Sequence, residues 1–381
     1  MREEKKVFRD VMPNMGGDPE FFIAKKRGRS WTIFSADKFF KGKHDKNTAG
    51  ASGEFFFDGV QAEVNINPNL CRECFIGNIE SVIANMTKVI LDSDYGFNKR
   101  NLLLLPKPTV KINKNTIKDA DDECKRFGCE PDYCIYNDKP IDYPDGNEYF
   151  YRFSGGHIHL GFEGLNLKEE FKEPERVKEL IEILDIFLGT LSAGIAHGEM
   201  EEIRRTKYGR AGTYRMPDHG LEYRGLSSFW MAHPILVSMV YGIARNCMSL
   251  AYKGMHKEII REMKEAGYTL NDVVDIINNV DNKKYKKFYN NFVKPFWENH
   301  YNQRGSNILG KEGMDDIINF WIDNGYEASF EPRNMKYYWM NSDVSVACFG
   351  INSFRKAYLN GSLELDNVDD VLLRKQKNLY V

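Results

Sequence analysis

Residues 149–162, YFYRFSGGHIHLGF, decide how the chain is read. Aromatic and aliphatic residues fill this segment without helical spacing, so it reads as one long strand. A Gly-Gly pair inside a strand marks a bulge or a close backbone approach. Side chains two apart on a strand share a face, so His157 and His159 point together. Working outward, GGDPEFFIAKK (16–26) reads as a strand entered through a glycine turn, with WTIFSADKFF (31–40) as its hairpin continuation. DGVQAEVNINP (58–68) alternates up to Pro68, and GLEYRGLSSFW (220–230) is a further strand, entered from the basic loop RRTKYGRAGTYR (204–215). These strands carry three more same-face polar pairs: Asp18 with Glu20, Gln61 with Glu63, and Glu222 with Arg224.

Between the strands the period changes. Residues 70–92 are helical in Phe75, Ile79, Ile83, Met86 and Ile90, and 173–197 in Leu180, Leu184, Phe187, Leu188 and Leu191. Pro234 suits the first turn of a helix running to about Ala251. Lys41 to Gly53 reads as a polar, mobile loop, LLLLPKPTVKI (102–112) as a strand broken by its prolines, and 113–148 as a run of turns. From Lys257 onward the pattern is helical, near 257–266, 270–279, 283–300 and 313–325. The expected architecture is α+β: a catalytic core over residues 1–250 and a helical C-terminal elaboration over 251–381 packed on it.

The polar pairs sit among apolar neighbours, and isolated buried carboxylates are costly unless a cation or counter-charge compensates. Glu20, Glu63 and Glu222 offer hard oxygen ligands suited to Mg2+ or Mn2+, and an imidazole from His157 is compatible with such a site. Arg210, Arg215 and Arg224 supply planar forks for carboxylate or phosphate. Singly each has a plainer reading: Glu-x-Arg on a strand is usually an ion pair, His-x-His is often structural, and a basic loop is commonly just solvated. Their occurrence in one chain, in this order, favours a site. The sequence has no GxxxxGK[ST], no GxGxxG between strand and helix, no GxSxG and no HExxH, so P-loop, Rossmann, hydrolase and zincin chemistry lack their motifs.

Composition bounds the partners. Fifty-three basic residues against 55 acidic give a net charge of -2, which argues against nucleic acid and anionic membrane as general partners. Mean hydropathy of -0.52, a start (MREEKKVFRD) without an apolar leader, and no run of 18 or so uninterrupted apolar residues imply a soluble, cytoplasmic chain. Seven cysteines, an odd number, favour reduced thiols. Cys71-x-x-Cys74 could begin a zinc site only by meeting two of Cys124, Cys129 and Cys134.

The ordered set GGDPEFF (16–22), DGVQAEVNINP (58–68), GCEPDY (128–133), SGGHIHLGF (154–162), YGRAGTYR (208–215) and GLEYRGLSSFW (220–230) resembles the amidoligases, and within them the type 2 carboxylate–amine ligases known mainly from tailed phages. The resemblance covers residues 14–245 and leaves the C-terminal part outside. It implies a core similar to glutamine synthetase and glutamate–cysteine ligase: a curved, largely antiparallel sheet forming a funnel, with ATP entering at one end and substrate at the other. It implies Glu20, Glu63, His157 and Glu222 as metal ligands, and His159 beside the nucleotide phosphates. Arg224 would contact the transferred phosphate, while Arg210 and Arg215 would share the substrate carboxylate and nucleotide phosphates. The implied reaction uses ATP and Mg2+ or Mn2+ to turn a carboxylate into an acyl phosphate, which an amine then attacks; Asp18 is the candidate to take the amine proton.

Small-molecule or peptide carboxylates and amines are the implied substrates, within an infected bacterial host if the chain is phage-encoded, and oligomerisation is left open. The chain departs from the superfamily's Glu-x-Glu first strand, since Asp18-Pro19-Glu20 puts a shorter carboxylate first. Competing readings are a ligase-like protein acting by contact alone, a guanidino-kinase-like phosphotransferase, and, more remotely, a zinc hydrolase on His157 and His159.

Overall fold

A computed structural model describes residues 13–125, 133–137, 149–162, 173–218, 220–301 and 314–328, together with 335, 336 and 339. Cys129, Cys348, most of GCEPDY, the NDKP and YPDGN turns and the end of the chain lie outside the described residues.

The strands, in chain order, are β1 (Pro13–Gly17), β2 (Glu20–Arg27), β3 (Ser30–Phe34), β4 (Asn47–Thr48), β5 (Gly53–Asp58), β6 (Gln61–Asn69), β7 (Leu102–Leu105) and β8 (Thr109–Lys111). They continue as β9 (Tyr133–Cys134), β10 (Tyr151–Phe153), β11 (Ile158–Phe162), β12 (Thr213–Arg215) and β13 (Leu221–Tyr223). One large sheet runs β3-β2-β6-β1-β11-β13-β12-β9, with β5 also on β6, β4 on β5 and β7 on β2. Every strand pairing in it is antiparallel. The fold is therefore mixed α+β with a large antiparallel sheet, as the sequence implies, and among the described residues that sheet does not close on itself.

Three local expectations are corrected. Residues 149–162 are not one strand: β10 pairs with β8 in a separate two-stranded sheet, while β11 lies between β1 and β13. The chain changes sheet at Gly155-Gly156 because backbone packs against it there, and a Cβ on Gly156 would meet the Ser227 carbonyl and the Trp230 indole. The first strand breaks at Asp18-Pro19. Segment 41–53 holds β4, paired antiparallel to β5, in place of an unstructured loop.

The helices follow their periods. Arg72–Leu91 buries Phe75, Ile79, Ile83, Met86 and Ile90, and Pro234–Tyr252 begins at its proline with His233 Nδ1 accepting from the Ile235 N–H at 3.0 Å. Segment Pro174–Leu184 passes through a π-helical turn at Asp185–Gly189 into Thr190–Ile195. The later helices His256–Glu265, Leu270–Asn279, Asn282–Phe288 and Met314–Asn324 contribute to the same hydrophobic core as the sheet, which extends from Met15 to Trp339. Arg72–Leu91 and Pro234–Tyr252 are long and apolar enough to cross a membrane by length and composition; here 44% and 72% of their most apolar windows are buried within the protein.

No four-cysteine cluster forms among the described residues. Cys124 is buried in a second, smaller core, and Cys134 donates to the Ala211 carbonyl at 3.4 Å.

Candidate active site

Register places the polar side chains in two rows. Across the centre of the sheet Arg215 opposes Glu222, Glu222 opposes His159, and His159 opposes Gly16. Opposed residues share a face, so these groups converge. On the other side of β1, Glu20 on β2 opposes Glu63 on β6, and Glu63 opposes Phe56 on β5. The hairpin β5–β6 turns through Gly59, whose φ of +59° suits glycine, and this turn brings Asp58 to the two glutamates.

The first carboxylate group is Glu20, Asp58 and Glu63, with one oxygen from each lying within 4.8 Å of the others. Glu20 Oε2 accepts from the Gly155 N–H at 2.9 Å and from Gln61 Nε2 at 3.3 Å. Burial, then the Asp58 charge, pushes the Glu20 carboxyl up to about 8. Glu63 is driven well up by burial and by the charges of Asp58, Asp18 and Glu20. Burial and the neighbouring like charges act in the same direction here, each favouring the protonated carboxyl.

The second group is Asp18, His159 and Glu222, also within 4.8 Å of one another. Asp18 Oδ1 lies 3.2 Å from His159 Nε2 and 3.5 Å from His157 Nδ1, and the same His157 nitrogen is 3.4 Å from Glu222 Oε1. Burial alone would raise the Asp18 carboxyl, but the His159 and His157 imidazoles overcome it and hold Asp18 well below the ordinary range. His157 is lowered, by burial and then by the Arg224 charge. His159 is raised: its burial opposes the charge, and the Asp18 carboxylate outweighs it. Arg224 donates to Glu222 and, at 2.9 Å, to the Tyr208 hydroxyl. The two groups are electrically joined, since the charges of Asp18 and Arg224 both reach Glu20.

The Gly-Gly-His turn between them is held from behind. Arg204 Nε donates to the Ser154 carbonyl at 2.9 Å and Nη2 to the Leu226 carbonyl at 2.6 Å, while Glu201 pairs with both Arg204 and Arg205. The Gly156 N–H also reaches the Leu226 carbonyl at 3.0 Å, and Trp230 Nε1 donates to the Gly156 carbonyl at 3.0 Å.

Of the residues singled out in the sequence, Glu20 and Glu63 fall in the first group, and Asp18, His157, His159, Glu222 and Arg224 in or against the second, with Arg215 in the same row. Arg210 stands exposed at the turn before β12, where its charge reaches Cys134. Asp18 and Glu20 do not act as a same-face pair: the break at Pro19 sends them to different groups. Asp58 and Tyr208 were missed. Both lay within quoted motifs, Asp58 beside the turn glycine and Tyr208 at the head of the arginine loop; only the hairpin and the packing of that loop reveal them.

Glu222, Arg224 and the two histidines all lie in a stretch with a recognisable family. Residues 132–291 match the phage phiEco32-like COOH.NH2 ligase-type 2 family. The COOH.NH2 ligase match agrees with the resemblance carried by the motifs, and its name points to carboxylate–amine ligation. It extends past residue 245 into the later helices, and it leaves Asp18, Glu20, Asp58 and Glu63 outside. That extension has a structural counterpart: Asn278, on the helix Leu270–Asn279, accepts from the Ala211 N–H at 2.9 Å and so holds the loop before Arg215. No curated protein matches the chain.

Proposed function

We propose that the protein is an ATP- and Mg2+-dependent carboxylate–amine ligase with a core of the glutamine-synthetase type, working through an acyl phosphate. The observation that supports this most is the convergence of Asp18, Glu20, Asp58, Glu63 and Glu222 from separate segments onto two neighbouring carboxylate groups, with Arg224 paired to Glu222, its charge felt at Glu20, and Arg215 in the row. The donor set fits hard divalent cations: three carboxylates in one group, two with an imidazole in the other. Glu20, Asp58 and Glu63 would hold one cation; Asp18, Glu222 and an imidazole of His157 or His159 would hold a second. Bound there, divalent cations would neutralise phosphate charge and align the γ-phosphoryl group.

The chain's own residues then have distinct tasks. The Arg224 and Arg215 guanidiniums offset charge on the transferring group, and Arg210, exposed at the turn before β12, would meet an anionic substrate arriving from solvent. Asp18 is held ionised between two imidazoles, so it suits ligation and charge balance better than taking a proton from the amine.

The test is ADP release by purified protein with Mg2+, ATP and pooled amines and carboxylic acids, read by mass spectrometry. A product equal to the two masses less one water supports the ligase. A stable phosphorylated product moves the assignment to a phosphotransferase. Absence of Mg-ATP binding by calorimetry moves it to a role by contact alone.

A further inference from the structure

We propose that Tyr208 is a positioning residue of the second carboxylate group, its hydroxyl fixing the His157 imidazole so that only Nδ1 faces Asp18 and Glu222. This rests on the reading above in one respect, that these carboxylates take a divalent cation.

Tyr208 ends the helix Glu199–Lys207, and its extended backbone donates from its N–H to the Arg204 carbonyl at 2.7 Å. Two guanidiniums approach its ring, Arg204 at 5.0 Å and Arg224 at 5.6 Å from the ring centroid. Arg204 is itself anchored to the Ser154 and Leu226 carbonyls, so the ring stands on the same base as the Gly-Gly-His turn. The phenolic oxygen is 2.8 Å from His157 Nε2 and 2.9 Å from Arg224 Nη2.

Arginine carries only donors, so the phenolic oxygen accepts from Arg224. Towards His157 it then uses either its proton or its other lone pair, and in both cases it engages Nε2. That leaves Nδ1 as the nitrogen turned to the second group, where it lies 3.2 Å from Arg224 Nη1, 3.4 Å from Glu222 and 3.5 Å from Asp18, so a cation there would take the place of the Arg224 contact. An outer partner on the far nitrogen is how an imidazole beside a cation is usually oriented, and its loss commonly lowers metal affinity 10- to 100-fold.

Tyr208→Phe keeps the ring and its packing and removes only the hydroxyl. With Mn2+ alone as probe and the full chain in the calorimeter, the variant should bind about tenfold more weakly than wild type. In a His157→Asn background the same change should make less than about a twofold further difference, because Tyr208 acts through His157. Wild-type affinity in Tyr208→Phe, or an equal loss in both backgrounds, overturns the proposal.

A second measurement needs only the unmodified chain with 15N-labelled histidine. The His157 ring, assigned by its disappearance in His157→Asn, should show two distinct nitrogen signals of a single fixed form. Signals averaged between the two nitrogens overturn the proposal. If wild type binds no Mn2+, the cation reading fails, and the nitrogen signals still decide whether Tyr208 fixes His157.

Discussion

Glu20 and Glu63 stand directly opposite each other on β2 and β6, exposed by only 8% and 7%, with Asp58 joining them from the neighbouring hairpin. Two opposed like charges are unfavourable on a sheet, and burial makes the repulsion worse. Buried carboxylates of this kind are costly unless a cation or counter-charge compensates.

Removing one member should therefore stabilise the metal-free chain. Glu63→Gln in the presence of a chelator is expected to melt higher than wild type, by on the order of 1 kcal/mol in stability. Mg2+ or Mn2+ is expected to raise the melting temperature of wild type, and that rise should shrink or vanish in the variant. Differential scanning calorimetry with and without cation measures both.

The Gly-Gly turn should tolerate no side chain at its second position. In Gly156→Ala the new methyl would press on the Ser227 carbonyl and the Trp230 indole. A cost of about 1–3 kcal/mol is expected from overpacking, with the change of sheet between β10 and β11 disturbed. Urea unfolding gives the stability, and Mn2+ titration shows whether the neighbouring groups survive.

Arg204 makes a sharper case, because it is fully buried and burial draws its guanidinium down to about 10. Arg204→Met would leave Glu201 partnered by Arg205 alone and the Ser154 and Leu226 carbonyls without this donor. Breaking a buried pair of this kind costs about 3–5 kcal/mol. Chemical denaturation should show that loss, while Arg210→Ala, at an exposed turn, should change stability by no more than about 0.5 kcal/mol.

A pH effect should arise behind the sheet, at Asp185. This carboxyl sits in the π-helical turn, accepts from the Tyr223 hydroxyl at 2.6 Å, and is pushed up by burial to about 7 from an ordinary 3.8. The folded chain thus holds the proton more tightly than the unfolded chain. Its contribution is most favourable below about pH 4 and declines as pH rises towards about 7, by on the order of 4 kcal/mol at most. Asp185→Asn should flatten this part of the stability curve and be the more stable form at pH 8. Denaturant midpoints from pH 4 to pH 8 provide the comparison.

How much of this the sequence reveals depends on how far apart the interacting residues lie. The helix Arg72–Leu91 is legible because its apolar residues recur at i, i+4, i+8 and i+11, and that spacing alone defines a buried face. His157 and His159 are legible as chemistry because they sit beside a glycine pair. The division of Asp18 from Glu20 is not, since proline at position 19 signals a break but not which neighbour each side chain will meet. Asp58 looks like an ordinary turn aspartate until β5 and β6 pair, and Tyr208 looks like loop filler until its hydroxyl reaches His157 and Arg224.

The sequence by itself determined the elements, the α+β class and most of the polar residues that gather, because period, turn residues and residue chemistry are local properties of the chain. Tertiary structure alone decided the order of the strands, that the carboxylates form two groups, and that Arg204 and Tyr208 pack against the histidine turn beside them. Strand order and cross-strand register join residues more than a hundred positions apart, and no local pattern records which strand lies beside which.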